Sequence, residues 1–191
     1  AVKMTGERNL VLSGGCVANV RLNQLLHEIP GVERVFVMPP MGDVGVPVGL
    51  ALEGARREGV ELTPRRLDHV FWGPAYTNGE IEAELRAAGL DYRRCDPIEE
   101  EVARLVEAGK VGARFAGRME FVPRALGNRS ILYHCQDPAV NRWLNKRLRR
   151  TEFMPFAPAV LAGEAHRCFR GLAGRDYTAE FMTITCAVTD F

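Results

Sequence analysis

The sequence predicts an α/β protein, and three observations carry that expectation. Across residues 1–58, short apolar runs alternate with helix-like spacing, and Gly or Pro closes each run. A polar, proline-containing stretch at 59–66 separates this part from the rest. Two further amphipathic stretches and another β-rich run follow it.

The elements are expected in this order. Leu10-Val11-Leu12-Ser13 suits a buried strand ended by Gly14-Gly15. Val17 to Glu28 carries Val17, Val20, Leu22, Leu25, Leu26 and then Ile29 at helical spacing, and Pro30-Gly31 terminates it. Val35-Phe36-Val37-Met38 is a second buried strand, stopped by Pro39-Pro40. Gly42-Asp43-Val44-Gly45 then leads into a helix from about Pro47 to Glu58. Beyond the linker, His69-Val70-Phe71-Trp72 reads as a strand ending at Gly73-Pro74. Thr77-Asn78-Gly79 caps a helix running to about Ala88, with Glu80, Glu82 and Glu84 where the helix dipole favours negative charge. Pro97 starts a helix over Ile98–Ala108, and Val111 to Phe115 forms the next strand. After Gly117 the periodicity weakens. Asp137 to Arg149 reads as a basic helix, Phe153–Leu161 as an ordered loop into a strand, and Phe181–Val188 as a last strand. A start that reaches a strand within ten residues, and an end close behind another, fit a segment of a longer protein; a short natural lead-in is the alternative at the start.

Composition excludes several classes. Hydrophobic residues make up 47% and charged residues 26% of the 191, the balance of a globular domain rather than a disordered chain. A net charge of +1 argues against nucleic-acid binding driven by overall charge. The charge is unevenly placed: residues 51–110 are acid-rich, whereas Val111 to Arg150 holds nine basic residues and two acidic ones. A local anion site explains such a segment, as does a solvated basic face. Cys16, Cys95, Cys135, Cys168 and Cys186 form no CxxC pair, which disfavours both zinc and a disulfide framework and suggests reduced thiols in the cytoplasm. No apolar run is long enough to span a membrane.

Four segments carry candidate chemistry. In Ser13-Gly14-Gly15-Cys16-Val17-Ala18-Asn19, glycines between strand and helix let backbone approach a ligand, with helix N–H groups beyond them; a plain tight turn is the alternative. Asp43, on the turn after the second strand, is either a helix cap or a carboxylate where α/β proteins gather ligands and metals. The run Gly117-Arg118-Met119-Glu120-Phe121-Val122-Pro123-Arg124-Ala125-Leu126-Gly127-Asn128-Arg129-Ser130 is the strongest. Its three arginines sit among glycines, proline and apolar residues, so they do not coat a simple helix face. Guanidinium forks match phosphate oxygens, and clustered arginines repel one another unless an anion intervenes. Glu120, as an internal counter-charge, is the competing explanation. Finally, Asn145-Lys146-Arg147 offers a point charge at Lys146, against the alternative of a solvated helix end.

These segments resemble the NodU/CmcH family of carbamoyltransferases. The likeness covers nearly the whole chain, most specifically GRMEFVPRALGNRSIL at 117–132 and LNKRLRRTEFMPFAPAVL at 144–161. LVLSGGCVANVRLNQLL at 10–26 and PPMGDVG at 39–45 resemble the end of that family's N-terminal domain, which has an actin/Hsp70-like ATPase-type fold. The part after Arg66 resembles its YrdC-like domain, with a twisted mixed sheet. The resemblance thus implies residues 1–62 as a remnant of the ATPase-like carbamoyl-transfer domain and 67–191 as a truncated YrdC-like domain. It further implies that carbamoyl phosphate and ATP, with Mg, yield carbamoyl adenylate, whose carbamoyl group passes to a hydroxyl of a small acceptor.

Under that resemblance, Arg118, Arg124, Arg129 and Lys146 are phosphate clamps, and Ser130 and Asn145 orient phosphate or carbamate oxygens. Gly14, Gly15 and Asn19 line an adenosine pocket, and Asp43 is one ligand of a divalent metal, commonly iron, that polarises the carbamoyl carbonyl. The metal's histidine partner and the acceptor pocket are expected upstream, in a missing N-terminal half, so the chain alone is expected to be inactive in transfer. A homodimer is a compatible assembly. The family usually reads EFGPRALG; Val122 replaces the glycine here, and a left-handed backbone at that position would strain a β-branched residue. Threonylcarbamoyl or hydrogenase-maturation chemistry, a YrdC-like RNA-binding module and a regulatory domain without turnover remain the rival readings.

Overall fold

A computed structural model describes residues 2–134, 138–150 and 156–190, apart from the side chain of Pro138. Expectations falling on Cys135, Asp137 and residues 151–155 lie outside the described residues. Contacts group the chain into two units: Ala1–Val70 with Phe121–Arg124 and Val160–Phe191, and Phe71–Glu120 with Ala125–Ala159.

In the first unit, a short helix α1 (Val2–Thr5) precedes strand β1 (Asn9–Leu12), which pairs in parallel with β2 (Arg34–Val37). The register sets Leu10 against Val35 and Leu12 against Val37. Parallel neighbours require a crossover, and α2 (Val20–His27) supplies it. The helix expected from Val17 is broken. A 3-10 turn at Gly15–Ala18 comes first, and extended Asn19 then caps α2 by accepting from the amides of Arg21 and Leu22, each at 3.1 Å. An Asn that bonds its own following amides ends one helical segment and begins another. Val17, Val35, Val37 and Met41 form the core, with Leu10, Leu12 and Val32 against it.

A second 3-10 turn at Asp43–Gly45 opens α3 (Val46–Arg57). Gly45 is required by space, since a Cβ there would lie 2.0 Å from the carbonyl oxygen of Pro40.

The C-terminal segment completes this unit with α7 (Ala165–Cys168), β5 (Phe169–Arg170), α8 (Asp176–Ala179) and β6 (Ala187–Val188). It docks on the outer edge of β2. The Val35 amide donates to the Gly174 carbonyl at 3.0 Å, and Thr178 Oγ1 donates to the Val35 carbonyl at 2.5 Å. Tyr177 stacks on Phe36 with ring centroids 5.0 Å apart, and Phe181 meets Tyr177 edge-on. Asn23, fully buried, donates to the carbonyls of Val17 and Thr183, each at 2.7 Å. The strand expected over Phe181–Val188 shrinks to Ala187–Val188, paired antiparallel with β5. Met182 has φ +56°, which interrupts an extended run, and the Thr183 hydroxyl turns back to the Thr178 carbonyl.

The second unit contains α4 (Asn78–Ala87), α5 (Ile98–Glu107), β3 (Gly112–Phe115), β4 (Arg129–Leu132) and α6 (Pro138–Arg147). Thr77 and Glu80 form a reciprocal capping box at the start of α4. The acid-rich character of this stretch is locally neutralised: Glu82 pairs with Arg86 and Arg94, and Glu101 with Arg93 and Arg104. β3 and β4 pair antiparallel, Phe115 facing Arg129 in register. The strand expected at His69–Trp72 does not form. Arg118 occupies the carbonyls of Trp72 and Gly73, while the Gly73 amide donates to Met119, so this backbone pairs with a loop and a side chain. No strand forms at 156–161 either.

The architecture is mixed α/β. In place of one mixed sheet, the described residues form three two-stranded sheets.

Candidate functional site

Within the second unit, Glu120 organises the arginine-rich loop. The residue is 6% exposed, and Oε1 accepts from the backbone amides of Leu126 and Asn128 at 2.8 Å and of Arg129 at 3.2 Å. Burial alone pushes its carboxyl upward, but the amides of Glu120, Leu126, Asn128 and Arg129 together hold it below the usual carboxylate range. Three amides converging on one oxygen define the Leu126–Arg129 turn, in which Gly127 has φ +114° and donates its amide to Ser130 Oγ at 2.9 Å.

That turn places Arg129 at the start of β4. Its Nη1 donates to the carbonyls of Ala116 and Asn128 at 2.8 and 2.9 Å, its Nη2 to Gly117 at 3.3 Å, and its guanidinium lies 3.7 Å from the centroid of Phe115. Arg118 donates through Nε to Gly73 at 3.1 Å and through Nη2 to Trp72 at 2.8 Å. Asn128 Nδ2 closes the loop on the Arg118 carbonyl at 2.7 Å. Both guanidiniums thus have part of their donor forks committed to backbone carbonyls. A fork of five N–H groups retains further donors after such contacts. Fixed cations on an ordered loop are the pre-organised arrangement that anion recognition favours.

Val122 fits without left-handed strain: among the described non-glycine residues only Arg149 and Met182 have positive φ. Lys146 is exposed on α6 beside buried Asn145, whose Nδ2 donates to Asn141 Oδ1 at 2.7 Å one turn earlier. These residues share the second unit with Arg118, Arg129 and Ser130.

Arg124 does not. It belongs to the first unit, where Nη2 donates to the Ala18 carbonyl at 2.9 Å, at the end of the Gly14–Asn19 loop. Burial lowers its pKa from the ordinary arginine value, and its buried Nε has no hydrogen-bond partner among the described residues. In the same loop Gly14 has φ +102°, a conformation natural to glycine, and a Cβ on Gly14 or Gly15 would meet open space. The Asn19 oxygen is occupied as the α2 cap.

Asp43 is exposed at the 3-10 turn before α3. Among the described residues no group of three or more His, Cys, Asp or Glu side chains converges to hold a metal. Asp43 therefore fits a metal only as a single ligand of a set that these residues do not complete.

Two features escaped sequence reasoning. Glu120 was legible as a counter-charge but not as an acceptor of backbone amides, because its partners lie six to nine residues on and depend on the turn. The assignment of Arg124 to the Ala18 carbonyl spans 106 residues, and nothing in local spacing encodes it.

Comparison with known proteins defines the class. Residues 1–52 match the family description "Carbamoyltransferase N-terminus", and residues 103–191 match "Carbamoyltransferase C-terminus". With both ends matched in order, the chain belongs to the carbamoyltransferase family. Among its relatives, the nodulation protein NolNO of Sinorhizobium fredii is 37% identical over 172 residues, covering 87% of this chain and 25% of the relative. Nodulation protein U of Rhizobium tropici is 35% identical over 159 residues, covering 83% and 26% respectively. An uncharacterized protein of Methanocaldococcus jannaschii is 36% identical over 169 residues, covering 85% and 28%. The chain spans about a quarter of the length of these relatives. No helix is long and apolar enough to cross a membrane among the described residues.

Proposed function

We propose that the chain is part of an ATP-dependent O-carbamoyltransferase. In the reaction, carbamoyl phosphate loses phosphate to water, and the carbamate oxygen attacks the α-phosphorus of ATP. Pyrophosphate leaves and carbamoyl adenylate forms. The oxygen of an acceptor hydroxyl then attacks the carbamoyl carbon, its proton is lost and AMP departs. The finer fold reading goes with this function: an actin/Hsp70-like ATPase-type part at 1–62 and a YrdC-like part at 67–191.

The observation that carries the proposal is the loop built on Glu120, which fixes Arg118 and Arg129 near Ser130 in a chain of carbamoyltransferase family. Bringing together two polyanions, carbamoyl phosphate and ATP–Mg, requires fixed positive charge, and guanidiniums on an ordered turn supply it. Lys146 adds a mobile point charge, and Ser130 and Asn145 offer polar atoms for phosphate or carbamate oxygens. Gly14, Gly15 and Asn19 serve the adenosine end of the adenylate during transfer. A divalent metal, iron by the family resemblance, would supply Lewis-acid polarisation of the carbamoyl carbonyl, with Asp43 as one ligand. The acceptor in this reading is a hydroxyl-bearing small molecule.

Titration of the chain with ATP–Mg and with carbamoyl phosphate tests the clamp. Arg129→Ala is expected to weaken binding of both by at least about tenfold, the loss of one charge-assisted contact. Arg129→Lys, which keeps the charge and loses the fork, is expected to fall between. Unchanged affinity for both ligands in Arg129→Ala would remove the clamp.

A further inference from the structure

We infer that Arg124 is a positioning residue of the Gly14–Asn19 loop in the first unit, fixing the peptide that leads into α2, rather than a member of the phosphate clamp. The inference rests on the proposed nucleotide role of that loop for its consequence, and on geometry alone for its substance.

Each carbonyl of the loop's second half has a specific donor. The Val17 amide donates to Gly14 and the Asn19 amide to Cys16, which makes the 3-10 turn. Asn23 Nδ2 takes the Val17 carbonyl at 2.7 Å. Arg124 Nη2 takes the Ala18 carbonyl at 2.9 Å. Ala18 is the last residue before the cap, so its peptide plane sets where the Asn19 amide and side chain stand. A carbonyl left without the guanidinium would let that peptide rotate, and the cap on Arg21 and Leu22 would loosen with it. A charge-assisted bond suits this task better than a neutral one, being roughly twice as strong.

The rest of the side chain argues the same way. Arg124 is half-buried, and its Nε is enclosed with no acceptor among the described residues. A half-buried guanidinium whose enclosed Nε–H lacks an acceptor is a costly way to gain stability, since an apolar side chain would avoid the desolvation. Its cost is reasonable where a strong donor is needed at one atom. Arg118 and Arg129, in contrast, commit part of their forks to carbonyls of the second unit.

Amide hydrogen exchange on the full chain reads the positioning directly, with Arg124→Met and Arg124→Lys as variants. In Arg124→Met, the amides of Asn19, Arg21 and Leu22 are expected to exchange about tenfold faster, while those of Val35 and Val37 in β2 keep their protection and so report that the first unit stays folded. Arg124→Lys, with one donor in place of the fork, is expected to recover at least half of the lost protection. Unchanged exchange at these amides in Arg124→Met, or equal loss at Val35 and Val37 of β2, overturns the inference. AMP, the leaving group of the adenylate, is the ligand probe. Weaker AMP binding in Arg124→Met, restored in part by lysine, joins the positioning to function. An AMP-indifferent wild-type chain would instead sink the nucleotide role of the loop, with the exchange result still deciding what Arg124 does.

Discussion

A carboxylate inside a run of arginines has two uses, and which one it takes decides what the arginines are free to do. As a counter-ion, Glu120 would consume the charge that an anion site needs. Its observed partners are instead the amides of Leu126, Asn128 and Arg129, so the turn is fixed and the guanidinium charge is left for other tasks. Replacing Glu120 by Ala leaves those amides without their acceptor and is expected to destabilise the chain by about 1–3 kcal/mol at neutral pH. The effect must depend on pH. The folded carboxyl titrates below its unfolded counterpart, so its contribution is complete above the unfolded value of about 4.3 and fades as pH falls through the folded one. Urea-unfolding midpoints between pH 7 and 3 check this: the gap between wild type and Glu120→Gln should narrow towards acid. A gap independent of pH would mean that the charge on Glu120 is irrelevant to the turn.

At the scale of elements, glycines separate positions fixed by space from positions left open. A methyl group on Gly45 would stand 2.0 Å from the Pro40 carbonyl oxygen, whereas one on Gly15 meets nothing within 4 Å. Gly45→Ala is therefore expected to cost about 1–3 kcal/mol through backbone displacement at the entry to α3, measured as a fall in thermal midpoint. Gly15→Ala should stay within about 0.5 kcal/mol of wild type, so that any loss of nucleotide binding in it reports on the ligand rather than the fold. Legibility in the sequence divides along similar lines. Helix α4 was readable because Thr77 and Glu80 carry its cap within three residues, and β1 and β2 because apolar runs ended at glycine and proline. Strand β4 was hidden, since Arg129-Ser130-Ile131-Leu132 acquires its partner only through the turn that Glu120 holds. The strands expected at His69–Trp72 and over most of Phe181–Val188 failed for the complementary reason. Their apolar residues are suitable, but an arginine side chain and a left-handed Met182 occupy or interrupt the backbone they need. Around the candidate site, the arginines could be read from the sequence but their hydrogen-bond partners could not: Arg118 and Arg129 bond carbonyls of the second unit, while Arg124 bonds the carbonyl of Ala18, 106 residues away.

At the scale of the chain, the first unit is closed by sequence from its far end. A two-stranded parallel pair is a poor structure by itself, because each strand has an open edge and little apolar cover. Here the outer edge of β2 is occupied at Val35 through both of its backbone groups, the amide donating to the Gly174 carbonyl and the carbonyl accepting from the Thr178 hydroxyl. Tyr177 covers Phe36, and Thr183 takes one of the two amide donors of buried Asn23. Ending the chain at Ala159 would therefore open the β2 edge, expose Phe36 and leave one Asn23 donor enclosed without its acceptor. Burying an unpaired amide alone costs about 1–3 kcal/mol, and the lost aromatic cover adds to it. The shortened chain is expected to lose amide protection at Val35 and Val37 and to self-associate through the exposed edge, seen as a concentration-dependent rise in light scattering. A chain ending at Ala159 that stays monomeric and keeps protection at β2 would show that the parallel pair stands without the C-terminal segment. Tyr177→Ala separates the two contributions: it removes the aromatic cover while Gly174 and Thr178 still hold the edge, so stability should fall without self-association.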